Sequence, residues 1–288
     1  MFKDRTEGQG LRTEVGCLFT NALRRKLRGM ARIAASLLSP QSPALSPALL
    51  LIGLIFGSLA HADAEVAALL KKADAFRLPA QAVRVETLVE LYRDGALDKE
   101  RRYTVYVKPG RRSLVLMKSP LEAGQKVLML AEQFWLLMPD TQRPFRITAS
   151  QKLLGEAAVG DVASMAWGED YDGQVVGETE IDGHRCLHLD LAATRPGTTY
   201  ARVELYLDKA DKQPRKADLY VNSGKRAKEA RFEINRVDGQ LRVTSMTLHD
   251  DIQTNRRTVV HYQSITPKDT PDAFFNPAAL VRNSLAGW

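Results

Sequence analysis

The chain has 288 residues, of which 44% are hydrophobic and 26% are charged, and this composition excludes an intrinsically disordered protein. Eight of the 41 Lys and Arg and four of the 34 Asp and Glu lie in residues 1–64, so the rest of the chain carries a net charge of only +3. This part of the chain also has no basic stripe or aromatic platform, so the sequence gives little support for nucleic-acid binding.

The N-terminal region has the pattern of a secretory signal. A basic segment, Arg24–Arg32, precedes the apolar run Leu49–Ala60, and Ala62-Asp63-Ala64 offers a small-x-small cleavage site. The apolar run is shorter than the roughly 20 residues that span a bilayer. We therefore predict a cleaved leader over residues 1–64, with Met30 as an alternative start, and an exported periplasmic domain over residues 65–288. An uncleaved N-terminal anchor is the alternative.

The next segments predict one helix followed by strands. Glu65–Phe76 places apolar residues at helical spacing, which predicts an amphipathic helix. From Val83 the apolar residues alternate with polar ones, and Asp94-Gly95 predicts a hairpin to Arg101–Val107. A further strand is predicted at Arg111–Lys118.

The segment Gly124–Asp161 departs from this alternation. Lys126–Ala131 and Phe134–Met138 are apolar at nearly every position, so both faces of this hairpin must be covered. After a short strand at Pro144–Thr148, Ser150–Gly155 reads as one or two helical turns that end at a glycine. A second helical turn is predicted over Asp161–Trp167, with Asp161 as its cap. Together these segments predict a cavity with a short helical lid.

The rest of the chain reads as a meander that ends in a helical turn at Pro277–Val281. No long helix separates consecutive strands, so about 11 to 13 antiparallel strands are expected in all. The predicted strands after the lid are Gln174–Ile181, Arg185–Ala192, Arg202–Asp208, Lys216–Asn222, Ala230–Val237, Leu241–Asp250 and Thr258–Ile265.

Two alternating apolar sets emerge from the strands around the lid. One consists of Leu114, Leu116, Leu128, Leu130, Trp135 and Leu137. The other consists of Val115, Met117, Val127, Met129, Phe134 and Met138. We expect one set to fill the core and the other to line a pocket, the alternative being that both are core. As the lining we choose the leucine-rich set, with Met165 and Trp167, and with Leu153 and Leu154 in the lid.

Catalytic or metal-binding patterns are weak. His184, Cys186, His188 and Asp190 alternate along one strand, but such neighbours are about 6.6 Å apart, too far to converge on zinc without a sharp bend. The chain has no Gly-x-Ser-x-Gly motif and no glycine-rich phosphate loop. We therefore expect no enzyme activity, no metal and no cofactor. Cys186, the lone cysteine after the leader, is expected to be a buried apolar residue.

An ordered series of motifs from Val83 to Val260 resembles the LolA-like outer-membrane lipoprotein-sorting family. The first part of the series covers Gly124–Met129, Trp135–Pro139, Arg143–Ile147, Ser150-Gln151, Leu154-Gly155 and Asp161. The second part covers Arg202–Asp208, Pro214–Ala217 and Ser223–Lys225. Two positions depart from the family pattern: Leu137 stands where tyrosine is frequent, and Glu156–Gly160 replaces a glycine-serine stretch.

The resemblance implies a mainly β fold, an unclosed antiparallel barrel with an N-terminal helix and a helical lid. It also implies a periplasmic carrier that binds acyl chains of lipids or lipoproteins, and partners such as an inner-membrane RND or MMPL-type exporter or an outer-membrane acceptor. The alternatives are a periplasmic sensor or regulatory interaction domain, and an accessory protein of such an exporter.

Overall fold

The computed structural model describes residues 64–77, 81–163, 166–250 and 253–282. The chain divides into two units, Met1–Ile55 and Phe56–Trp288, and every described residue belongs to the second. Residues 1–63 of the predicted leader lie outside the described residues. Within them, no helix is long and apolar enough to cross a membrane.

The described residues form fifteen strands and a few short helices, which confirms a mainly β fold. The strands are β1 (Val83–Arg93), β2 (Ala96–Lys108), β3 (Arg112–Met117), β4 (Lys126–Leu130), β5 (Gln133–Leu137), β6 (Phe145–Ile147), β7 (Lys152–Leu154), β8 (Ala157–Ala158), β9 (Tyr171–Ile181), β10 (His184–Ala193), β11 (Arg202–Asp208), β12 (Pro214–Tyr220), β13 (Arg226–Val237), β14 (Gln240–His249) and β15 (Arg256–Pro267). The helices are α1 (64–77), α2 (Val159–Ala163) and α3 (Pro277–Arg282), with single 3-10 turns at Pro120–Glu122 and Asp272–Phe274.

Thirteen of the strands make one antiparallel sheet. Its order is β6-β5-β4-β3-β2-β1-β15-β14-β13-β12-β11-β10-β9, so the first and last strands pair at its centre, with Val89 opposite Val260. Strands β6 and β9 are the two edges of this order, so the barrel stays unclosed as predicted. The short strands β7 and β8 form a separate hairpin.

One face of the sheet, which we call the inner face, carries the main core. Strand β1 shows why: its buried residues alternate with half-buried ones from Val83 to Leu91, so every second side chain points inward. The apolar stripe of α1, which includes Leu69 and Leu70, packs into the same cluster, as do Val159 and Val162 of the α2 region. The inner face is thus covered by α1, the β7–β8 hairpin and α2.

The opposite, outer face is also covered where the strands are apolar on both sides. Leu114 and Leu128 pack there against Phe275 and Leu280 of the C-terminal segment, residues 270–282. The Lys126 ammonium donates a hydrogen bond to the Leu280 carbonyl at 3.0 Å and helps to hold the segment in place. The prediction that both faces of the β4–β5 hairpin are covered is therefore confirmed, and the outer cover is α3.

The lid differs from the prediction. Ser150–Gly155 is not helical: residues 152–154 form β7 and pair with β8. Gly155 makes the turn with φ of +55°, and a Cβ there would lie 2.2 Å from the Thr258 hydroxyl oxygen. The glycine was expected to end a helix, whereas it allows a tight hairpin to press on β15. The second helical turn is present, but α2 begins at Val159, before Asp161.

Candidate functional site

The structure separates the predicted lining residues into two groups. Leu114, Leu116, Leu128 and Leu137 are buried in the outer cluster, and Trp135 packs against it. Leu154 and Trp167 are buried in the inner core, and Leu153 packs against that core. Leu130 is half-buried and belongs to neither cluster, while Met165 lies outside the described residues. The predicted residues therefore do not form one wall, although their contact with a lipid stays a prediction.

The other alternating set faces inward. Val115, Met117, Val127, Met129 and Phe134 are all buried in the inner core, together with the apolar residues of α1. The two sets are chemically alike, so their phase along the strand does not distinguish inside from outside. What distinguishes them is the covering element, α1 on the inner face and α3 on the outer face.

One opening beside the inner core is a cleft of about 600 Å³. Ala67 and Ala75 of α1 form one side, Val107 and Met129 form the other, and Ala163 of α2 closes one end. The lining contains more basic than acidic side chains: Lys71, Lys108, Arg111, Arg112 and Arg242 against Asp74, Glu169 and Asp170. The cleft thus combines an apolar floor on the inner face with a charged, mainly basic rim.

A second, much smaller cavity of about 40 Å³ lies deeper, under Trp167. It is lined by Arg77, the aromatic residues Tyr171, Tyr200 and Phe232, and the carboxylate of Asp161. Ala166 and Asp170 line both the cavity and the cleft, so the two spaces meet at the segment that follows α2.

A buried polar network ties the cover to the sheet. Lys228 of β13 is 4% exposed; its ammonium contacts the Asp161 carboxylate at 2.8 Å and also donates to the Glu156 carbonyl. The same carboxylate accepts the Ala158 N–H at 2.8 Å and the Tyr200 hydroxyl at 2.6 Å. Burial, reinforced by Asp161, raises the pKa of Tyr200 well above its usual range, so its hydroxyl stays a donor. The Asp161 carboxylate thereby connects the β7–β8 hairpin and α2 to Lys228 of β13 and to Tyr200.

A second buried ion pair closes the far side of the cleft. Arg111, in the turn between β2 and β3, pairs with Asp170 just before β9. Its Nε atom also donates to the Ala131 carbonyl at 3.2 Å. Burial lowers the pKa of the Arg111 guanidinium, although an arginine stays charged at neutral pH. The pair therefore holds the segment after α2 against the turn that bounds the cleft.

Asp74 connects α1 to the same segment. Its two carboxylate oxygens accept the backbone N–H groups of Trp167 and Gly168 at 2.7 and 2.8 Å. Burial raises the pKa of Asp74, whereas the bond from Gly168 and the charge of Arg77 act in the opposite direction. This carboxylate is the polar contact that fixes α1 over the inner face next to the cleft.

We expect Asp74→Ala to loosen this contact, because two backbone donors lose their acceptor at a cost of about 1–3 kcal/mol each where they stay dry. Hydrogen exchange at the Trp167 and Gly168 amides should become faster than in the unchanged protein. Asp74→Asn is the matched control, since it keeps one acceptor oxygen and should protect one of the two amides. If the Trp167 and Gly168 amides are protected equally in Asp74→Ala and in the unchanged protein, α1 is held without this carboxylate.

The candidate metal residues lie on a strand that holds Cys186 inside. Cys186 is fully buried, as expected for an apolar role, and burial raises the pKa of its thiol. His184 pairs with Asp208 at 3.0 Å, and the His188 ring stacks on Tyr206 with centroids 4.6 Å apart. Within the ranges that the structure describes, no group of three or more His, Cys, Asp or Glu is placed to hold a metal ion.

Sequence reasoning missed the charged residues of the inner face. The sequence indicates Asp161 only as a helix cap and as a position of the family motif, and it does not indicate Arg77, Arg111 or Lys228 as site residues. A signal for Lys228 was available, because it has the same strand phase as Ala230 and Phe232, both buried. A lysine in phase with core residues indicates a buried ammonium that requires a partner. Neither Arg77 nor Arg111 shows such a pattern, since each lies at the boundary of an element.

Comparison with known proteins gives consistent matches over most of the described fold. A family model described as an uncharacterized protein matches residues 110–282. A LolA superfamily protein from Nitrosomonas europaea is 30% identical, with a TM-score of 0.67, over 73% of this chain and 96% of that one. No protein of curated function matches the chain's sequence.

Two more distant crystal structures share the fold alone. One is a DUF1329 family protein from Desulfovibrio piger, 21% identical with a TM-score of 0.62, over 76% of this chain and 98% of that one. The other is a domain named for outer membrane lipoprotein sorting, from Vibrio parahaemolyticus. It is 18% identical with a TM-score of 0.60, over 75% of this chain and 98% of that one.

Proposed function

The chain belongs to the LolA superfamily, and on that premise we propose that it is a periplasmic, non-enzymatic carrier for the acyl chains of lipids or lipoproteins. The cleft beside α1 carries this proposal. Its volume of about 600 Å³ falls within the roughly 300–1,000 Å³ of small-molecule sites. Its floor includes Met129, a flexible side chain that adapts to alkyl chains.

The acyl chain is proposed to lie along Val107, Met129 and Ala163, beneath α1. Each methylene removed from water contributes about 0.8 kcal/mol. A chain longer than the cleft would have to displace α1 or the segment after α2, both of which are held by few polar contacts. Those contacts, Asp74 with the Trp167 and Gly168 amides and Arg111 with Asp170, would then act as the closures of the site.

Of the lining predicted from sequence, Leu153, Leu154 and Trp167 pack on the inner core, but none of them lines this cleft, and Trp167 lines the small cavity instead. The leucine-rich set is proposed instead to anchor the C-terminal segment, since Leu114, Leu116, Leu128 and Leu137 contact it from the outer face. Release to an outer-membrane acceptor, or loading from an exporter of the inner membrane, is part of the same proposal and rests on the resemblance alone.

Native mass spectrometry tests the proposal. The full chain, exported to the periplasm and purified without detergent, is expected to carry a bound amphiphile that organic solvent extracts, because a site of this apolar character is occupied in a lipid-rich compartment. Protein that has been delipidated should take up lipid again from vesicles of phosphatidylethanolamine and phosphatidylglycerol. Ligand-free protein in both experiments would contradict a carrier function.

A further inference from the structure

Arg77, at the described end of α1, is a buried cation that forms no ion pair with a carboxylate among the described residues, although its charge acts to lower the pKa of Asp74. It is 5% exposed, and its Nε atom has no hydrogen-bond partner among the described residues. Its guanidinium lies 4.1 Å above the ring of Trp167 and 6.0 Å from that of Phe232, so it packs against aromatic faces. Burying a charge without such a partner is costly, so an arginine in this position indicates a missing anionic or polar group.

The small inner cavity lies next to this guanidinium. Its volume of about 40 Å³ corresponds to about three water-sized groups, at 10–15 Å³ each. A space of this size suits a small anionic group such as a carboxylate. Burial raises the pKa of the nearby Tyr262 hydroxyl, and the charge and hydrogen bond of the Arg77 guanidinium act in the opposite direction.

The two acids that line the cavity are already neutralised. Asp161 is bound by Lys228 and Tyr200, and Asp170 is paired with Arg111. Asp74 lines the cleft, where its oxygens accept hydrogen bonds from the Trp167 and Gly168 amides. Arg77 is the cation of the cavity lining, and because no carboxylate among the described residues forms an ion pair with it, its guanidinium can pair with an incoming anion.

We propose that this cavity binds the carboxylate of a free fatty acid, held by Arg77, while the alkyl tail runs past Ala166 into the cleft. The inference rests on the proposed carrier function and specifies its ligand class and orientation. In this orientation the head group lies in the cavity and the tail in the cleft, because the two share Ala166 and Asp170 in their linings. The acyl chain of a lipoprotein lacks this free carboxylate, so the site would favour fatty acids over lipoproteins.

Binding of laurate and of dodecanol to the purified full chain, measured by calorimetry, tests the orientation. We expect laurate to bind more tightly than dodecanol, and Arg77→Gln to weaken laurate about 10- to 100-fold, as loss of a charged hydrogen bond implies, while dodecanol binds as before. Lys72→Gln is the matched control: it removes an exposed cation of the same helix that does not line the cleft, and it should leave laurate binding unchanged. Lys71→Gln removes a cation of the cleft rim and tests whether the carboxylate lies there instead.

The outcomes separate the two proposals. If laurate and dodecanol bind equally and Arg77→Gln changes neither, the carrier function stands and the carboxylate site is wrong. If Lys71→Gln weakens laurate and Arg77→Gln does not, the head group lies at the rim and the inward orientation is wrong. If the unchanged protein binds neither amphiphile, both the carboxylate site and acyl-chain binding are contradicted.

A measurement on the unchanged protein covers the case in which Arg77→Gln fails to fold. Laurate labelled with carbon-13 at its carboxyl should give a bound resonance that does not titrate near the usual carboxyl pKa, because the guanidinium keeps it ionised. A bound carboxyl that titrates like free laurate would overturn the proposal.

Discussion

Replacing Asp161 with Asn is expected to lower the free energy of unfolding by about 3–5 kcal/mol, because Lys228 then stays buried without its counter-ion. The change preserves the size of the side chain, so the loss is electrostatic and not a matter of packing. Urea denaturation of the purified protein measures it. The same variant also weakens the acceptor for Ala158 N–H and the Tyr200 hydroxyl, which adds to the cost.

An exposed ion pair supplies the control for this prediction. Arg231 and Asp182 are also in direct contact, at 2.6 Å, but their side chains are 41% and 70% exposed. We expect Asp182→Asn to cost at most about 1 kcal/mol, since solvent screens the pair. The double variant Asp161→Asn with Lys228→Met should recover part of the lost stability, because no buried charge remains. Equal costs for Asp161→Asn and Asp182→Asn would mean that the inner network does not hold the cover.

The second large effect is expected from blocking the cleft. Ala67 is exposed on α1 and lines the cleft, so a tryptophan there occupies the space that we assign to the acyl chain without disturbing buried residues. We expect Ala67→Trp to reduce lipid retention at least about tenfold, since an aromatic side chain covers 150–250 Å² of apolar surface that the ligand would otherwise contact. Native mass spectrometry and extraction of bound lipid measure retention.

The neighbouring residue gives a close control. Ala68 is also exposed on α1, but it is not part of the cleft lining, so Ala68→Trp adds the same side chain to the same helix outside the proposed path. Its lipid retention should equal that of the unchanged protein, and the two variants should have similar melting temperatures. If both variants retain lipid fully, the ligand does not occupy this cleft.

The order of the strands and most of their bounds could be predicted from local patterns. Alternation in β1 and the position of β11 follow from neighbours within a few residues, as do the two-residue turns. Asp94-Gly95, Asp182-Gly183 and Asp238-Gly239 all adopt the two successive positive φ values that such hairpin turns require. The same applies to α1 and α3, whose apolar spacing and flanking prolines are local features.

The lid shows the limit of this reasoning. Ser150–Gly155 has two adjacent leucines and a final glycine, a pattern that fits a helical turn and a short strand equally well. The choice depends on residues far along the chain, because the Thr258 hydroxyl accepts the Glu156 N–H at 2.9 Å and leaves no room for a side chain at Gly155. A strand that pairs with β8 satisfies both conditions.

Sequence by itself determined that β3–β5 are covered on both faces, because strands apolar on both sides cannot face water. Only the tertiary structure decided that Val127 and Met129 face the inner core and Leu128 the C-terminal segment. The reason is that alternation specifies two faces but not which is which, and the two covers, α1 and α3, come from opposite ends of the domain. The buried partners of Lys228, the place of Arg77 beside the small cavity and the candidate site itself all depend on the same long-range packing.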